Sequence, residues 1–138
     1  MSERERLPQE QLVAIPGEEA DVRIKRAYDP VGATDGYRVL VDRIWPRGVR
    51  REEVHLDEWA RELAPSTGLR RWFGHDPARF EEFQRRYIEE LASQAQKLRE
   101  LRARAREGTL TLVYAARDTE HNDAVVLAEL LRRGTTGL

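Results

Sequence analysis

Three arginines stand where apolar segments of the sequence end. Arg43 and Arg47 lie in the segment DRIWPRG of residues 42–48, and Arg117 follows the apolar run of residues 109–115. A guanidinium group binds phosphate or carboxylate through two parallel N–H donors, and the N–H groups at a helix N-terminus favour the same anions. These arginines therefore predict a site for a small anionic ligand, such as a phosphate, a nucleotide or a carboxylate.

A competing interpretation comes from the abundance of arginine. The chain is arginine-rich, with 22 arginines and 2 lysines, so several arginines fall on any surface of the folded protein. Each of the three could pair with an acidic neighbour at Asp42, Asp118 or Glu120, which would be a structural role with little effect on stability.

The order Trp45-Pro46-Arg47-Gly48 predicts a rigid corner that presents Arg47. Proline fixes its own backbone and biases the preceding residue toward an extended conformation, while glycine tolerates a positive φ. Trp45 is a further candidate for ligand binding, although a side chain of this size also suits the core.

Three more side chains could extend the ligand site. Ser66 and Arg70 lie at the start of a predicted short helix, where they would add a hydroxyl group and another guanidinium group, and Asn122 lies in the first turn of the last predicted helix. Ser66 suits the N-cap of its helix at least as well.

Three side chains could transfer protons if the site is catalytic, namely His75, His121 and Tyr114. The positive end of a helix dipole near His121 favours the neutral imidazole, which can act as a base. His75 precedes the helix start at Asp76-Pro77, where a capping contact or simple exposure competes with an acid–base role. Tyr114 suits the core equally well. The sequence therefore leaves open whether the protein is an enzyme.

These candidates need a scaffold, and the apolar patterns predict an α/β fold. Residues 22–28 alternate apolar and basic side chains, residues 37–44 have an apolar β-branched centre, and residues 109–115 are apolar enough for the middle of a sheet. We expect a small, mostly parallel sheet of at least three strands with helices packed on both faces. If the second and third strands are parallel neighbours, their carboxyl ends bring residues 42–48 and 116–122 to one rim.

The link of eight residues between the first two strands is short for a parallel crossover, so the direction of the first strand stays open. Residues 1–20 are predicted to form a flexible N-terminal arm, and residues 21–138 a single α/β domain. The predicted helices cover residues 56–63, a short segment capped by Ser66 or Thr67, a segment from Asp76 to a C-terminal Gly108 with a break near Ser93, and residues 120–133.

Composition narrows the function classes. There is no cysteine, the net charge is -1, and no two of the three histidines share a metal-ligand spacing, so no metal site is expected. Glutamates interrupt the basic residues of segment 85–107, which argues against a nucleic-acid groove. No phosphate-binding loop or dinucleotide fingerprint occurs, and the cofactor is undefined.

The charged first residues and the absence of a long apolar run indicate a cytoplasmic protein with no membrane contact.

Several of these segments together resemble a known family. The string DGYRVLVDRIWPRG at residues 35–48, Trp59, the APS of residues 64–66, His75 and the LVYAARD of residues 112–118 are similar in order and spacing to the YeaO-like family of uncharacterised bacterial proteins. The resemblance covers about residues 22–132, and the N-terminal arm is longer than is usual there. It implies a compact α/β domain of unassigned function.

Two function classes compete with an anion-binding domain. One is a protein–protein interaction module whose tryptophans and arginines anchor an interface. The other is a nucleic-acid-associated regulatory module without catalysis, for which a net basic domain would be expected. A homo-oligomer is compatible with each of the three.

Overall fold

The computed structural model describes residues 20–133. Four strands form one sheet in the order β1-β4-β2-β3, and every neighbouring pair is parallel. The predicted α/β class with a parallel sheet is confirmed. The strands are β1 (Asp21–Arg26), β2 (Tyr37–Leu40), β3 (Glu58–Trp59) and β4 (Thr109–Tyr114).

Residue types that favour helix caps stand at the start of the second helix and shortly before the third. Ser66 caps the second helix by accepting a hydrogen bond from the Leu69 N–H at 3.1 Å, and Asp76 caps the short 3-10 turn that leads into the third. A 3-10 turn at Ala92–Gln94 separates the third and fourth helices, close to the predicted break. The helices are α1 (Arg51–Val54), α2 (Thr67–Phe73), α3 (Phe80–Leu91), α4 (Ala95–Glu107) and α5 (Asp123–Arg133).

The main core lies between one face of the sheet and the longer helices. Side chains two residues apart along a strand share a face, so Leu110 and Leu112 of β4 point toward the helices together with Val39 of β2. Val113 and Leu40 point to the opposite face, where Trp45, Val49 and Leu56 cover them and α1 lies nearby. Both faces of β4 are therefore buried, as its continuous apolar sequence predicts.

The direction of β1 is settled by the position of β4. Because β4 lies between β1 and β2, the link does not join neighbouring strands, and β1 runs parallel to β4. Asp35 anchors the link through hydrogen bonds from Lys25 and from the buried Arg38, the latter at 2.6 Å. Burial raises the pKa of Asp35, but the Gly32 N–H and Lys25 outweigh it, so the pKa lies below its ordinary value.

Two local predictions are wrong. Residues 56–63 form no α-helix, because the backbone of Glu58–Trp59 pairs with β2 and only Arg61–Leu63 makes a 3-10 turn. Their helical spacing of apolar residues was outweighed by this pairing. The second strand ends at Leu40, earlier than the predicted residue 44. Gly108 ends α4, as predicted, in an extended conformation with φ -173°. The predicted arm lies outside the described residues, apart from Ala20.

Candidate functional site

A cavity of about 710 Å³ opens at the carboxyl ends of β2 and β4. Three segments of the chain form its walls: residues 42–47 after β2, residues 115–118 with 122–123 between β4 and α5, and parts of residues 64–83 around α2. This is the place where an open parallel sheet binds ligands, because its loops and helix N-termini converge there. The cavity is large enough for a small organic molecule.

Four arginines line this cavity, namely Arg43, Arg47, Arg70 and Arg117. Arg43 donates hydrogen bonds of 3.3 and 3.4 Å to the carbonyl oxygens of Ala64 and Pro65, so it also ties the segment after β2 to the start of α2. Among residues 20–133, no hydrogen bond or ion pair involves the side chains of the other three. Their donors are therefore directed to solvent or to a ligand.

The corner that carries Arg47 is held from both sides. Gly48 has φ 77°, the positive value that the sequence predicts. The Tyr28 hydroxyl group donates a hydrogen bond of 2.9 Å to the Arg47 carbonyl oxygen, and the Trp45 indole N–H donates one of 2.7 Å to Val49. Trp45 lines the cavity and also packs edge-to-face against Trp59, with ring centroids 5.3 Å apart. Trp45 thus combines both roles considered for it.

Two half-buried carboxyl groups, those of Asp42 and Asp123, line the cavity and are close enough for each to shift the pKa of the other. Asp42 accepts a hydrogen bond of 2.9 Å from the Ala115 N–H, which joins the ends of β2 and β4. Two neighbouring carboxylates repel each other, so this arrangement favours a pair that shares one proton.

The pKa values of both carboxyl groups rise for the same physical reason. Burial raises the pKa of Asp123 well above its ordinary value, and the charge and hydrogen bond of Asp42 raise it further. Burial also raises the pKa of Asp42, although the hydrogen bonds from Asp123 and Ala115 and the charge of Arg70 act in the opposite direction. Shifted carboxyl pairs of this kind are concentrated at functional sites.

His75 stands on the wall of the cavity in a strained backbone conformation. Its φ is 58°, directly after Gly74 with φ 55°, and non-glycine residues rarely occupy this left-handed region. The charge of His75 is close enough to lower the pKa of Asp42. Such strain persists where the surrounding structure enforces it, often at functional sites.

Comparison with known proteins identifies the relatives of this chain. The model of a family described as the inactive DUF488-N3 subclade matches residues 21–136. The chain belongs to this YeaO-like DUF488 family. Uncharacterized protein YeaO of Escherichia coli (strain K12) is 44% identical over 112 residues, covering 81% of this chain and 97% of that protein. Uncharacterized protein Rv3073c of Mycobacterium tuberculosis (strain ATCC 25618 / H37Rv) is 45% identical over 113 residues, covering 82% and 95%. No solved structure matches the chain.

The candidate residues of this YeaO-like chain fall into two groups. Arg43, Trp45, Arg47, Arg70, Arg117, His75 and Asn122 line the cavity. Asn122 is already engaged, because its amide group donates to the Asp118 carbonyl oxygen at 2.8 Å and accepts from the Val125 N–H at 2.9 Å as the cap of α5. That Arg43, Arg47 and Arg117 contact one ligand together stays a prediction.

Three candidates of this DUF488 chain are not among the residues that line the described cavity. Ser66 donates to Glu90 at 2.7 Å in addition to capping α2. His121 is held by Asp118 through a hydrogen bond of 2.9 Å and packs edge-to-face on Phe80. Tyr114 is buried in the main core.

Sequence reasoning about this family member missed the carboxyl pair and the residues that support the rim. Asp42 was considered only as an ion-pair partner of an arginine, and Asp123 was weighed only as a neighbour of His121 in a metal site that the spacing does not support. A carboxylate directly after a buried strand and another in the first turn of a helix are the signals that point to this pair. Arg26 was missed too, although it donates hydrogen bonds to the carbonyl oxygens of Ala115 and Ala116 and so supports the segment that carries Arg117.

Proposed function

We propose that the cavity at the carboxyl ends of β2 and β4 binds a small anionic ligand, a phosphate, nucleotide or carboxylate. The observation that carries the proposal is the set of cavity arginines, of which Arg47, Arg70 and Arg117 make no side-chain hydrogen bond or ion pair within residues 20–133. An arginine with a structural role usually has a carboxylate or carbonyl partner, as Arg38 and Arg26 have in this protein.

The charge balance of the lining favours an anion. Four guanidinium groups face Asp118 and the Asp42–Asp123 pair, and the shared proton leaves the pair with a single negative charge. The charge of Asp118 is engaged by the N–H groups of Glu120 and His121 and by the imidazole of His121. Positive charge therefore dominates at the mouth, where a partly desolvated anion gains most from it.

The description of the matching family as an inactive subclade favours binding without turnover. Catalysis is a second candidate because burial raises the pKa of both Asp42 and Asp123, and a carboxyl pair with raised pKa values could donate and accept a proton. NMR spectroscopy distinguishes binding from catalysis. The spectrum of a bound compound incubated with the protein would change over time only if the protein converts the compound.

The test of binding begins with a thermal-shift screen of phosphates, nucleotides and organic acids, because a ligand that binds only the folded state raises the melting temperature. Arg47→Lys keeps the charge but loses the planar pair of donors, so it should weaken the best ligand about tenfold in isothermal titration calorimetry. The melting temperature without ligand should change by less than about 3 °C, since an exposed arginine contributes little.

Arg71→Lys is the matched control, because Arg71 is exposed on α2 next to Arg70 and is not among the residues that line the cavity. It should leave the affinity unchanged. A stability loss in Arg47→Lys with unchanged affinity would assign Arg47 a structural role. A screen in which no anion raises the melting temperature would refute the proposed function and favour a protein–protein or regulatory module.

A further inference from the structure

The lining of the cavity changes in character from its mouth to its floor. The exposed residues at the mouth include Arg47 and Arg117. Phe73 and Phe83 are buried and supply an apolar wall, and the half-buried Asp42 and Asp123 form what we call the floor. An anion bound by the mouth arginines alone would leave the apolar wall and the floor without contacts.

The volume supports a ligand longer than a bare anion. A cavity of about 710 Å³ lies within the range of roughly 300–1,000 Å³ that holds small organic ligands and cofactors. An inorganic phosphate ion fills only a small part of such a space. The ligand therefore has a body that extends from the arginines toward the carboxyl pair.

The chemistry of the floor restricts which functional groups the ligand can place against the carboxyl pair. Because the two carboxyl groups share a proton, the pair offers both an O–H donor and carboxylate acceptors. A hydroxyl group also donates and accepts, so adjacent hydroxyl groups match both halves of the pair. An ammonium group only donates, and the positive charge of Arg70 beside Asp42 opposes it.

We propose that the Asp42–Asp123 pair recognises hydroxyl groups of the ligand, and that the cavity takes a phosphorylated polyol such as a sugar phosphate. This inference rests on the proposed function, because the arginines at the mouth would hold the phosphate group. The carboxyl pair acts here as a specificity determinant. Hydrogen bonds to a carboxylate are about twice as strong as those between neutral groups, so the floor contributes a clear preference over a ligand without hydroxyl groups.

The test compares three probes by isothermal titration calorimetry: inorganic phosphate, butyl phosphate and ribose 5-phosphate. Butyl phosphate carries the same anionic group on an aliphatic chain and has no hydroxyl groups on that chain. The wild-type protein should bind ribose 5-phosphate at least about tenfold more tightly than butyl phosphate, a difference expected when a buried polar site is matched by its ligand.

Variants of the floor separate recognition of hydroxyl groups from recognition of the anion. The double variant Asp42→Asn/Asp123→Asn should reduce the preference for ribose 5-phosphate to within about threefold, because it replaces the charged acceptors of the pair by neutral amide groups, whereas either single variant leaves one carboxylate in place. The double variant should not weaken butyl phosphate, since it removes the single negative charge of the pair near the anion. Glu81→Gln, an exposed change of the same charge on α3, should alter no affinity.

Each outcome has a defined meaning. Equal affinity of the wild-type protein for butyl phosphate and ribose 5-phosphate overturns this inference while leaving the anion site intact. A preference that survives in the double variant Asp42→Asn/Asp123→Asn also overturns it. If none of the three phosphates binds, the inference fails together with a phosphate-binding function. The wild-type comparison needs no variant, so a variant that fails to fold leaves the inference open to refutation.

Discussion

At the scale of single residues, the ionised form of Asp123 works against the stability of the protein. It lies in the first turn of α5, where a carboxylate is usually favoured, yet burial and the neighbouring Asp42 make its ionised form costly. Residues retained at such a cost are typical of binding and catalytic sites, because a ligand can supply the missing compensation.

Asp123→Asn should therefore stabilise the protein without ligand. The pKa of Asp123 is raised on folding, so its ionisation costs stability as the pH rises above the value of about 3.9 for an unfolded aspartate. We expect Asp123→Asn to melt roughly 2–6 °C above the wild-type protein at pH 8. The difference should shrink toward zero at pH 4, where both forms are uncharged.

Differential scanning calorimetry at pH 4, 6 and 8 measures this trend. Glu81→Gln provides the comparison, because its carboxylate is exposed and should give no increase with pH. A lower melting temperature of Asp123→Asn at pH 8 would mean that the ionised carboxylate stabilises the fold, which contradicts the role described for the pair.

At the scale of elements, the start of β2 depends on a close approach to β4. Gly36 has φ 68°, and a Cβ atom there would lie 2.1 Å from the carbonyl oxygen of Thr109. The neighbouring Asp35 carbonyl oxygen accepts a hydrogen bond of 2.7 Å from the Thr111 hydroxyl group, which places the turn firmly against β4. Neither the backbone of β4 nor the turn can yield without breaking sheet hydrogen bonds.

Gly36→Ala should therefore be strongly destabilising, by about 3 kcal/mol or more in the free energy of unfolding measured by urea denaturation. Gly68 is the matched control, because it lies within α2 and a Cβ atom there meets nothing within 4 Å. Gly68→Ala should be neutral or stabilise the protein by about 0.5–1 kcal/mol. Equal effects of the two substitutions would refute the close approach.

The elements that build the candidate site come from distant parts of the chain. β1 contributes no residue to the cavity lining within the described chain, yet Arg26 at its end supports residues 115–116, and Tyr28 supports the Arg47 corner. The site thus depends on the edge strand for its geometry. The sequence alone does not predict this dependence, because β1 and the segments that it supports are up to 90 residues apart.

At the scale of the whole molecule, the main core and a smaller apolar cluster lie on opposite faces of one sheet. None of the helices within residues 20–133 has both the length and the hydrophobicity that a membrane span requires. The aligned relatives correspond to about the same part of the chain as the described residues. The Escherichia coli protein YeaO is covered to 97% by 112 aligned residues, and the family model begins at residue 21. The E. coli relative therefore has little room for a counterpart of the first 19 residues, which lie outside the described part of the structure.

Removal of residues 1–19 should leave a cooperatively folding protein. Their sequence is charged and contains few large apolar side chains, so it offers little surface to bury. We expect a melting temperature within about 3 °C of the full chain and an unchanged affinity for any ligand from the screen. Loss of a cooperative transition by circular dichroism would show that the segment completes the core.

The sequence by itself determined the class of the fold and the position of the rim. The continuous apolar run of residues 109–115 predicts a central strand. The residues around Arg43, Arg47 and Arg117 follow predicted strands, and the carboxyl ends of parallel strands meet at one rim of the sheet. Local signals also identified the caps at Ser66 and Asp76, since capping depends on residues only three or four positions apart.

Tertiary structure alone decided the strand order, the fate of residues 56–63 and the carboxyl pair. Insertion of β4 between β1 and β2 depends on packing of the whole chain, and pairing with β2 outweighed the helical spacing around Trp59. Asp42 and Asp123 lie 81 positions apart in the sequence and meet only because the rim where β2 ends is also the place where α5 begins. Their raised pKa values follow from burial and mutual proximity, which are properties of the folded chain and of no local pattern.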